Sequence, residues 1–230
     1  MDVLISGKTS FKVEVPYKLF HTGRSIPKPL IIYLHGYGQN IANFEEQMKP
    51  FLELEAYHLF IQGPYADLAN IKKRGKWGFA WYLYNGKQGS FIKSLEYTSE
   101  FIQGIIDNIL NYINVTRICV IGYSMGAYQA GYFAVSRWKH VNELILMSGR
   151  LKTEAFSNKK LKKANHINVL ATHGQKDDVI DLKAQQKEIE LLKNSGFNAN
   201  IVSFDAGHKL TPKMIETGVS FLQKVSYKKI

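Results

Sequence analysis

The chain has 230 residues, 45% of them hydrophobic, and carries a formal net charge of +11 at pH 7. This length and composition are typical of a globular domain with a sizeable core, so a single domain is predicted over residues 1–230. The one cysteine, Cys119, excludes an internal disulfide framework and favours a reducing, cytoplasmic location.

The basic residues cluster at positions 72–76, 150–163 and 228–229. Such clusters could attract an anionic substrate, a membrane or nucleic acid, but they are also typical of a solvated surface. The chain has no zinc-finger spacing, RNA-binding signature or dense arginine stripe, so a nucleic-acid role is not expected. It also lacks a signal-peptide pattern and an apolar run of membrane-spanning length, so no stable membrane insertion is expected.

The first elements predicted along the chain are a strand over residues 11–19, a strand over 29–34, a helix over about 40–54 and a strand over 58–62. Pro16 favours a sheet edge for the first strand, and Pro50 should disturb the last turn of the helix. Residues 64–93 form a long aromatic-rich connection, and connections of this length are usually functional. An amphipathic helix follows, with an isoleucine stripe that runs from Ile102 to Ile113.

The sequence Gly122-Tyr-Ser-Met-Gly126 comes directly after an apolar strand over residues 117–121. This pattern is typical of a serine on a sharp strand-to-helix turn, where the two glycines make room for the turn. The next helix carries small residues four apart, such as Gly126, Ala130 and Ala134, which would allow it to approach a sheet closely. Its N-terminus would direct backbone N–H groups at an oxyanion beside Ser124.

The last third of the chain is predicted to hold strands over residues 142–147, 167–172 and 199–204, helices over 182–194 and from Pro212, and a basic surface segment over 150–166. Gly196 is placed to end the first of these helices, and Thr211 to cap the second. Alternating strands and helices predict an α/β fold with a mostly parallel sheet. The residues His35, Ser124, Asp177 and His208 all follow predicted strand ends, where ligands gather in such sheets.

Four separated blocks of the sequence resemble the α/β-hydrolases, in particular the phospholipase/carboxylesterase branch that includes acyl-protein thioesterases. The blocks are Leu-His-Gly-Tyr-Gly (34–38), Gly-Tyr-Ser-Met-Gly (122–126), His-Gly-Gln-Lys-Asp (173–177) and Ala-Gly-His (206–208). The resemblance covers roughly residues 29–225 and implies an α/β-hydrolase fold. At this length, no large cap domain is expected.

The resemblance implies a Ser-His-Asp triad, with Ser124 as nucleophile, His208 as general base and Asp177 as the acid that orients the histidine. Asp178 is a rival for the acid, because the family usually has proline at that position; Asp205 is a more distant candidate. The oxyanion hole would consist of the backbone N–H groups of Met125 and Tyr37.

Three aromatic residues of the long connection, Phe79, Trp81 and Tyr82, resemble the family's acyl-pocket segment, although ordinary packing would explain them equally well. His35 and His173, which open the two His-Gly pairs, are interpreted as structural. No metal or other cofactor is expected, because no cluster has metal-ligand spacing.

The function that the resemblance implies is a serine carboxylesterase that hydrolyses short or medium acyl esters through an acyl-enzyme. The alternatives within the same chemistry are an acyl thioesterase and a lysophospholipase. A catalytically idle binding protein with the hydrolase fold is the alternative from a different class. In each case the expected partner is a small acyl ester or thioester, and the sequence leaves the oligomeric state open.

Overall fold

A computed structural model describes residues 5–7, 9, 12–68, 71 and 75–230. Its strands are β1 (Tyr17–His21), β2 (Lys28–Leu34), β3 (Tyr57–Ile61), β4 (Tyr65–Ala66), β5 (Phe79–Ala80), β6 (Val115–Tyr123), β7 (Glu143–Met147), β8 (Asn168–Gly174) and β9 (Ala199–Phe204). Its α-helices are α1 (Ile41–Gln47), α2 (Gln88–Ile109), α3 (Met125–Ser136), α4 (Asn158–Ala164), α5 (Leu182–Asn194) and α6 (Pro212–Lys224). Short 3₁₀ helices span Lys49–Glu53 and Thr153–Ala155.

All of these strands except β4 and β5 form one sheet in the order β1-β3-β2-β6-β7-β8-β9, in which β1 runs antiparallel and the others run parallel. The strands β4 and β5 form a separate antiparallel pair. The central strands β2, β3 and β7 are buried because helices cover both faces, which explains their continuous apolar runs. The chain leaves β2 toward β3 on one side and later returns as β6 on the other. The switch point therefore lies between the carboxyl ends of β2 and β6, where open α/β sheets bind ligands.

The structure confirms the predicted α/β fold with a mostly parallel sheet. The first strand, β1, is at the sheet edge, although it begins at Tyr17. Phe11, at the start of the predicted strand, and residues 72–74 of the first basic cluster lie outside the described residues. Thr211 caps α6 through its side chain, and Gly196 adopts a positive φ of 92° two residues after the end of α5.

Three segments differ from the sequence-based prediction. The helix over 40–54 is divided, because α1 stops at Gln47 and Pro50 lies in the 3₁₀ helix that follows. The long connection is shorter than predicted, since α2 already begins at Gln88, and it contains the β4–β5 pair. The segment 150–166 is only partly on the surface, since Leu151 and Leu161 are buried in the larger of the hydrophobic clusters that form the core.

Candidate active site

Ser124 lies on a sharp turn between β6 and α3, with φ 51° and ψ −114°, a conformation that few residues other than glycine adopt. Its amide donates a hydrogen bond to the carbonyl of Met147, at 2.8 Å, which fixes the turn to the neighbouring strand β7. A methyl group at Gly122 would overlap the carbonyl of Gly126, and one at Gly126 would overlap the carbonyl of Leu34. The two glycines of the motif thus permit the close approach that holds the serine up at the sheet edge.

A chain of hydrogen bonds connects the three residues of the predicted triad. The Oγ atom of Ser124 lies 2.8 Å from Nε2 of His208. The Nδ1 atom of His208 lies 2.8 Å from Oδ2 of Asp177. The three side chains come from the ends of β6, β9 and β8, so the parallel sheet brings together residues that are up to 84 positions apart. This geometry allows His208 to accept the serine proton while its other nitrogen faces a carboxylate.

The side chain of Asp177 is fully buried, whereas its neighbour Asp178 is exposed. Burial alone would raise the pKa of Asp177, but hydrogen bonds from the Ile180 amide, the His208 ring and the Val179 amide outweigh it and lower that pKa. The hydrogen bonds from the two backbone amides are both 2.9 Å long, and Oδ1 of Asp177 accepts both of them. Asp177 is therefore held as a carboxylate with one oxygen left for His208, and the geometry favours it over Asp178 as the acid.

The turn after β2 carries Tyr37, the second predicted oxyanion donor. This turn is held by His35, whose Nε2 accepts a hydrogen bond from the Gly63 amide at 3.0 Å and whose Nδ1 lies 2.8 Å from the Gly36 carbonyl. Burial lowers the pKa of His35 to about 4, which keeps the ring neutral. The other predicted donor, Met125, is the first residue of α3, and the first N–H groups of a helix have no partner within it.

Two of the three aromatic residues predicted to line an acyl pocket lie elsewhere. Trp81 is completely buried, and its indole N–H donates a 2.6 Å hydrogen bond to the carbonyl of His35. Phe79 exchanges backbone hydrogen bonds of 2.9 Å with Gly38 and Gln39. Phe79 therefore supports the turn that carries Tyr37 through its backbone, and Trp81 supports it through its indole N–H.

A cavity of about 380 Å³ opens directly beside Ser124, and Tyr37 and Met125 contribute to its wall. Tyr82, the third of these aromatic residues, lines it together with Tyr84, Phe91 and Tyr128. The Tyr82 ring packs edge-on against Phe91, with ring centroids 4.7 Å apart. The wall thus consists mainly of aromatic and aliphatic side chains, and an apolar group could bind there while its carbonyl carbon lies at the serine.

Sequence reasoning missed several residues around this cavity. Tyr123 stacks on the His208 ring at 5.8 Å, and Lys152 lies in the cavity wall. Tyr123 and Tyr128 flank Ser124 within its own turn and helix, so they could have been found from their spacing. Lys152 is 28 positions away in a basic segment, and nothing in the sequence distinguishes it from neighbouring lysines. Among the described residues, no group of three or more His, Cys, Asp or Glu side chains is placed to hold a metal ion.

No helix within the described part of the chain is both long and apolar enough to cross a membrane. No curated protein matches the chain by sequence. Solved structures do match the chain, and at 17–20% sequence identity these matches show that it has the same fold as those proteins. The carboxylesterase of Bacillus cereus has a TM-score of 0.74 at 20% identity, and the match covers 91% of this chain and 94% of that one.

Two other solved structures are similar in the same way. An esterase called PE8 has a TM-score of 0.76 at 17% identity, and the match covers 93% of this chain and 100% of that one. The acyl-protein thioesterase 2 of Zea mays has a TM-score of 0.69 at 20% identity, with 91% and 98% covered. A family model described as phospholipase/carboxylesterase matches residues 16–226. The chain therefore belongs to the phospholipase/carboxylesterase family, whose members are hydrolases with the α/β-hydrolase fold.

Proposed function

We propose that the protein is a serine carboxylesterase that hydrolyses short or medium acyl esters through an acyl-enzyme. The observation that carries this proposal is the hydrogen-bonded chain from Ser124 through His208 to Asp177 at the edge of an aromatic cavity. A hydroxyl group is a weak nucleophile until an adjacent base removes its proton, and the 2.8 Å contact places His208 for that task.

The reaction proceeds in two halves. In the first half, His208 takes the proton of Ser124 as Oγ attacks the ester carbonyl, and the backbone N–H groups of Met125 and Tyr37 stabilise the oxyanion. His208 then gives the proton to the departing alkoxide, which leaves as an alcohol. In the second half, His208 removes a proton from a water molecule as it attacks the acyl-enzyme, and then returns that proton to Oγ of Ser124 as the carboxylic acid leaves. Asp177 keeps the ring oriented and stabilises its charged form in both halves.

The size of the cavity supports the preference for short or medium acyl groups. Its volume of about 380 Å³ lies near the lower end of the range of about 300–1,000 Å³ for ligand pockets. The mainly aromatic and aliphatic wall also favours a second candidate, an acyl thioesterase or lysophospholipase, because a longer apolar chain could extend along it. Both candidates use the same acyl-enzyme chemistry on a small-molecule substrate, and we place either in the cytoplasm.

Hydrolysis of a chain-length series of p-nitrophenyl esters tests the proposal, with the wild type beside Ser124→Ala and Ser136→Ala. Ser136 ends the same helix and its hydroxyl bonds the Phe133 carbonyl at 3.2 Å, so Ser136→Ala is the matched control. We expect turnover that peaks at short or medium chains, falls at least about 10⁴-fold in Ser124→Ala and persists in Ser136→Ala.

A peak at long chains, or faster turnover of acyl thioesters, would favour the second candidate instead. Failure to hydrolyse any ester, together with failure of Ser124 to react with a fluorophosphonate, would contradict both candidates. That pair of results would favour a binding protein that keeps the hydrolase fold without its reaction.

A further inference from the structure

Lys152 lies in the wall of the cavity that also holds Ser124. Among the described residues that line this cavity, Lys152 alone carries a formal charge. The remaining wall is aromatic, aliphatic or neutral polar, as in Tyr82, Phe91 and Gln88. A single ammonium group in such a wall would be a strong determinant of which substrates bind, because a charge in an apolar environment favours a ligand of opposite charge.

The side chain of Lys152 is largely buried, and the protein neutralises its ammonium group only weakly. The side chain is 15% exposed, and Nζ lies 5.8 Å from the centre of the Phe91 ring. Its nearest described carboxylate, Glu154, is 3.7 Å away, and that side chain is 55% exposed. Arg150 holds the same carboxylate oxygen more closely, at 3.0 Å. The ammonium thus retains capacity to bind an anion that enters the cavity.

The backbone at Lys152 is held in a conformation that requires support. Lys152 has φ 61° and ψ 59°, the left-handed region that a lysine seldom adopts. The carboxylate of Glu188, which is 5% exposed, accepts hydrogen bonds from the amides of Leu151 at 3.2 Å and Lys152 at 3.1 Å, and it also binds Arg150. Strained residues that the surrounding structure fixes in this way cluster at ligand sites.

We propose that Lys152 binds an anionic group of the substrate, a carboxylate or a phosphate, while the ester carbonyl lies at Ser124. This inference rests on the proposed function, and it narrows the substrate class to acyl esters that carry a negative charge a few bonds from the scissile carbonyl. The anion could lie on the acyl side, as in a monoester of a dicarboxylic acid. It could equally lie on the alcohol side, as in a phosphorylated glycerol ester.

A pair of isosteric esters tests the acyl-side arm. The p-nitrophenyl monoester of glutaric acid carries a terminal carboxylate, and the p-nitrophenyl ester of glutaramic acid carries a neutral amide of the same shape. The measurement is the ratio of kcat/KM for the charged ester to kcat/KM for the neutral one. Effects on folding or on the serine chemistry act on both esters and cancel in this ratio. The alcohol-side arm compares 1-butanoylglycerol 3-phosphate with 1-butanoylglycerol in the same way.

We expect the wild type to prefer the anionic member of at least one pair by about tenfold, as a charge-assisted hydrogen bond would give. Lys152→Met should bring that ratio to about one. Lys152→Gly should also bring the ratio to about one. Because glycine adopts a positive φ without strain, a loss of preference in both variants is not a result of backbone strain. The matched control is Lys139→Met, because Nζ of Lys139 also lies 5.8 Å from a ring centre, that of Trp138, at the far end of α3.

The arm in which the preference depends on Lys152 identifies the side of the ester that carries the anion. Turnover of the neutral esters without any preference, or a preference that persists in both Lys152 variants, would overturn the inference. Calorimetric titration with glutarate, on wild type and Lys152→Met, separates this result from failure of the proposed function. If no ester is hydrolysed but glutarate binding depends on Lys152, the anion site stands and the esterase proposal fails. If neither is observed, both are overturned.

Discussion

The Nε2 atom of His173 lies 3.2 Å from Oδ2 of Asp177, the same oxygen that His208 contacts at 2.8 Å. His173 is completely buried and fixed at both ring nitrogens, since Nδ1 meets the side-chain oxygen of Gln185 and Nε2 lies 2.8 Å from the carbonyl of Ile180. The second His-Gly pair therefore places a rigid imidazole against the acid of the candidate triad, where it limits the positions that the carboxylate can take.

His173→Asn should lower kcat by about 10- to 100-fold, because a small displacement of Asp177 misorients His208. KM should change by less than about twofold, since His173 does not line the cavity. Steady-state kinetics on a p-nitrophenyl ester measures both constants. A rise in KM with kcat unchanged would contradict a role through Asp177.

The adjacent acids Asp177 and Asp178 provide a matched pair of substitutions. Asp177→Asn should lower kcat by about 10⁴-fold, because an amide favours the wrong tautomer of His208. Asp178→Asn should leave kcat within about twofold of the wild type, because Asp178 is exposed and lies outside the hydrogen-bonded chain. The reverse order of the two effects would assign the acid to Asp178.

Substitutions of Tyr82 and Phe79 compare a residue of the cavity wall with a residue of the same segment that does not line the cavity. Tyr82→Ala removes an aromatic ring from the wall, so kcat/KM for an octanoyl ester relative to a butanoyl ester should rise by about tenfold. Phe79→Ala should leave both that ratio and the individual rates within about twofold of the wild type, because the hydrogen bonds of Phe79 to the Tyr37 turn come from its backbone and its side chain does not line the cavity. Equal shifts of the ratio in both variants would show that Phe79 also contacts the acyl chain.

Two glycines in helices should respond in opposite directions to a methyl group. Gly126→Ala would overlap the carbonyls of Leu34 and His35, and should lower the free energy of unfolding by about 3 kcal/mol. Gly104→Ala, in the exposed part of α2, has no atom within 4 Å of the new methyl and should raise that free energy by about 0.5–1 kcal/mol. Urea denaturation measures both. A stabilised Gly126→Ala would mean that the turn at Ser124 is less tightly packed than described.

The stability of the fold should depend on pH through His58. Burial lowers the pKa of this histidine to about 4 from the ordinary value of 6.5, so the unfolded chain binds the proton first. Its contribution to stability is therefore complete above pH 6.5 and is lost as the pH falls toward 4, in total about 3 kcal/mol. In His58→Gln, the free energy of unfolding should change less steeply with pH across this window. An identical slope in the variant would show that other groups cause the dependence.

The sequence predicted the sheet and the candidate triad because each motif carries its own backbone requirement. The glycines around Ser124 and the strand before it indicate one kind of turn, and the parallel sheet then brings the other strand ends to the same edge. The start of α2 was missed because Lys87, at its N-terminus, makes no side-chain cap hydrogen bond. Aromatic composition could not show that Trp81 points into the core while Tyr82 lines the cavity. Lys152 was missed because a lysine with positive φ has no sequence signature.

The backbone hydrogen bonds of Phe79 with Gly38 and Gln39 have a further consequence for thermal behaviour. They join the turn that carries Tyr37 to β4 and β5, which have only two residues each. Elements with so few hydrogen bonds open at a lower free energy than the central sheet. Their amides should therefore exchange with deuterium as one unit, ahead of the strands β2 and β6. On heating, esterase activity would disappear while the circular dichroism spectrum of the sheet and helices is still native.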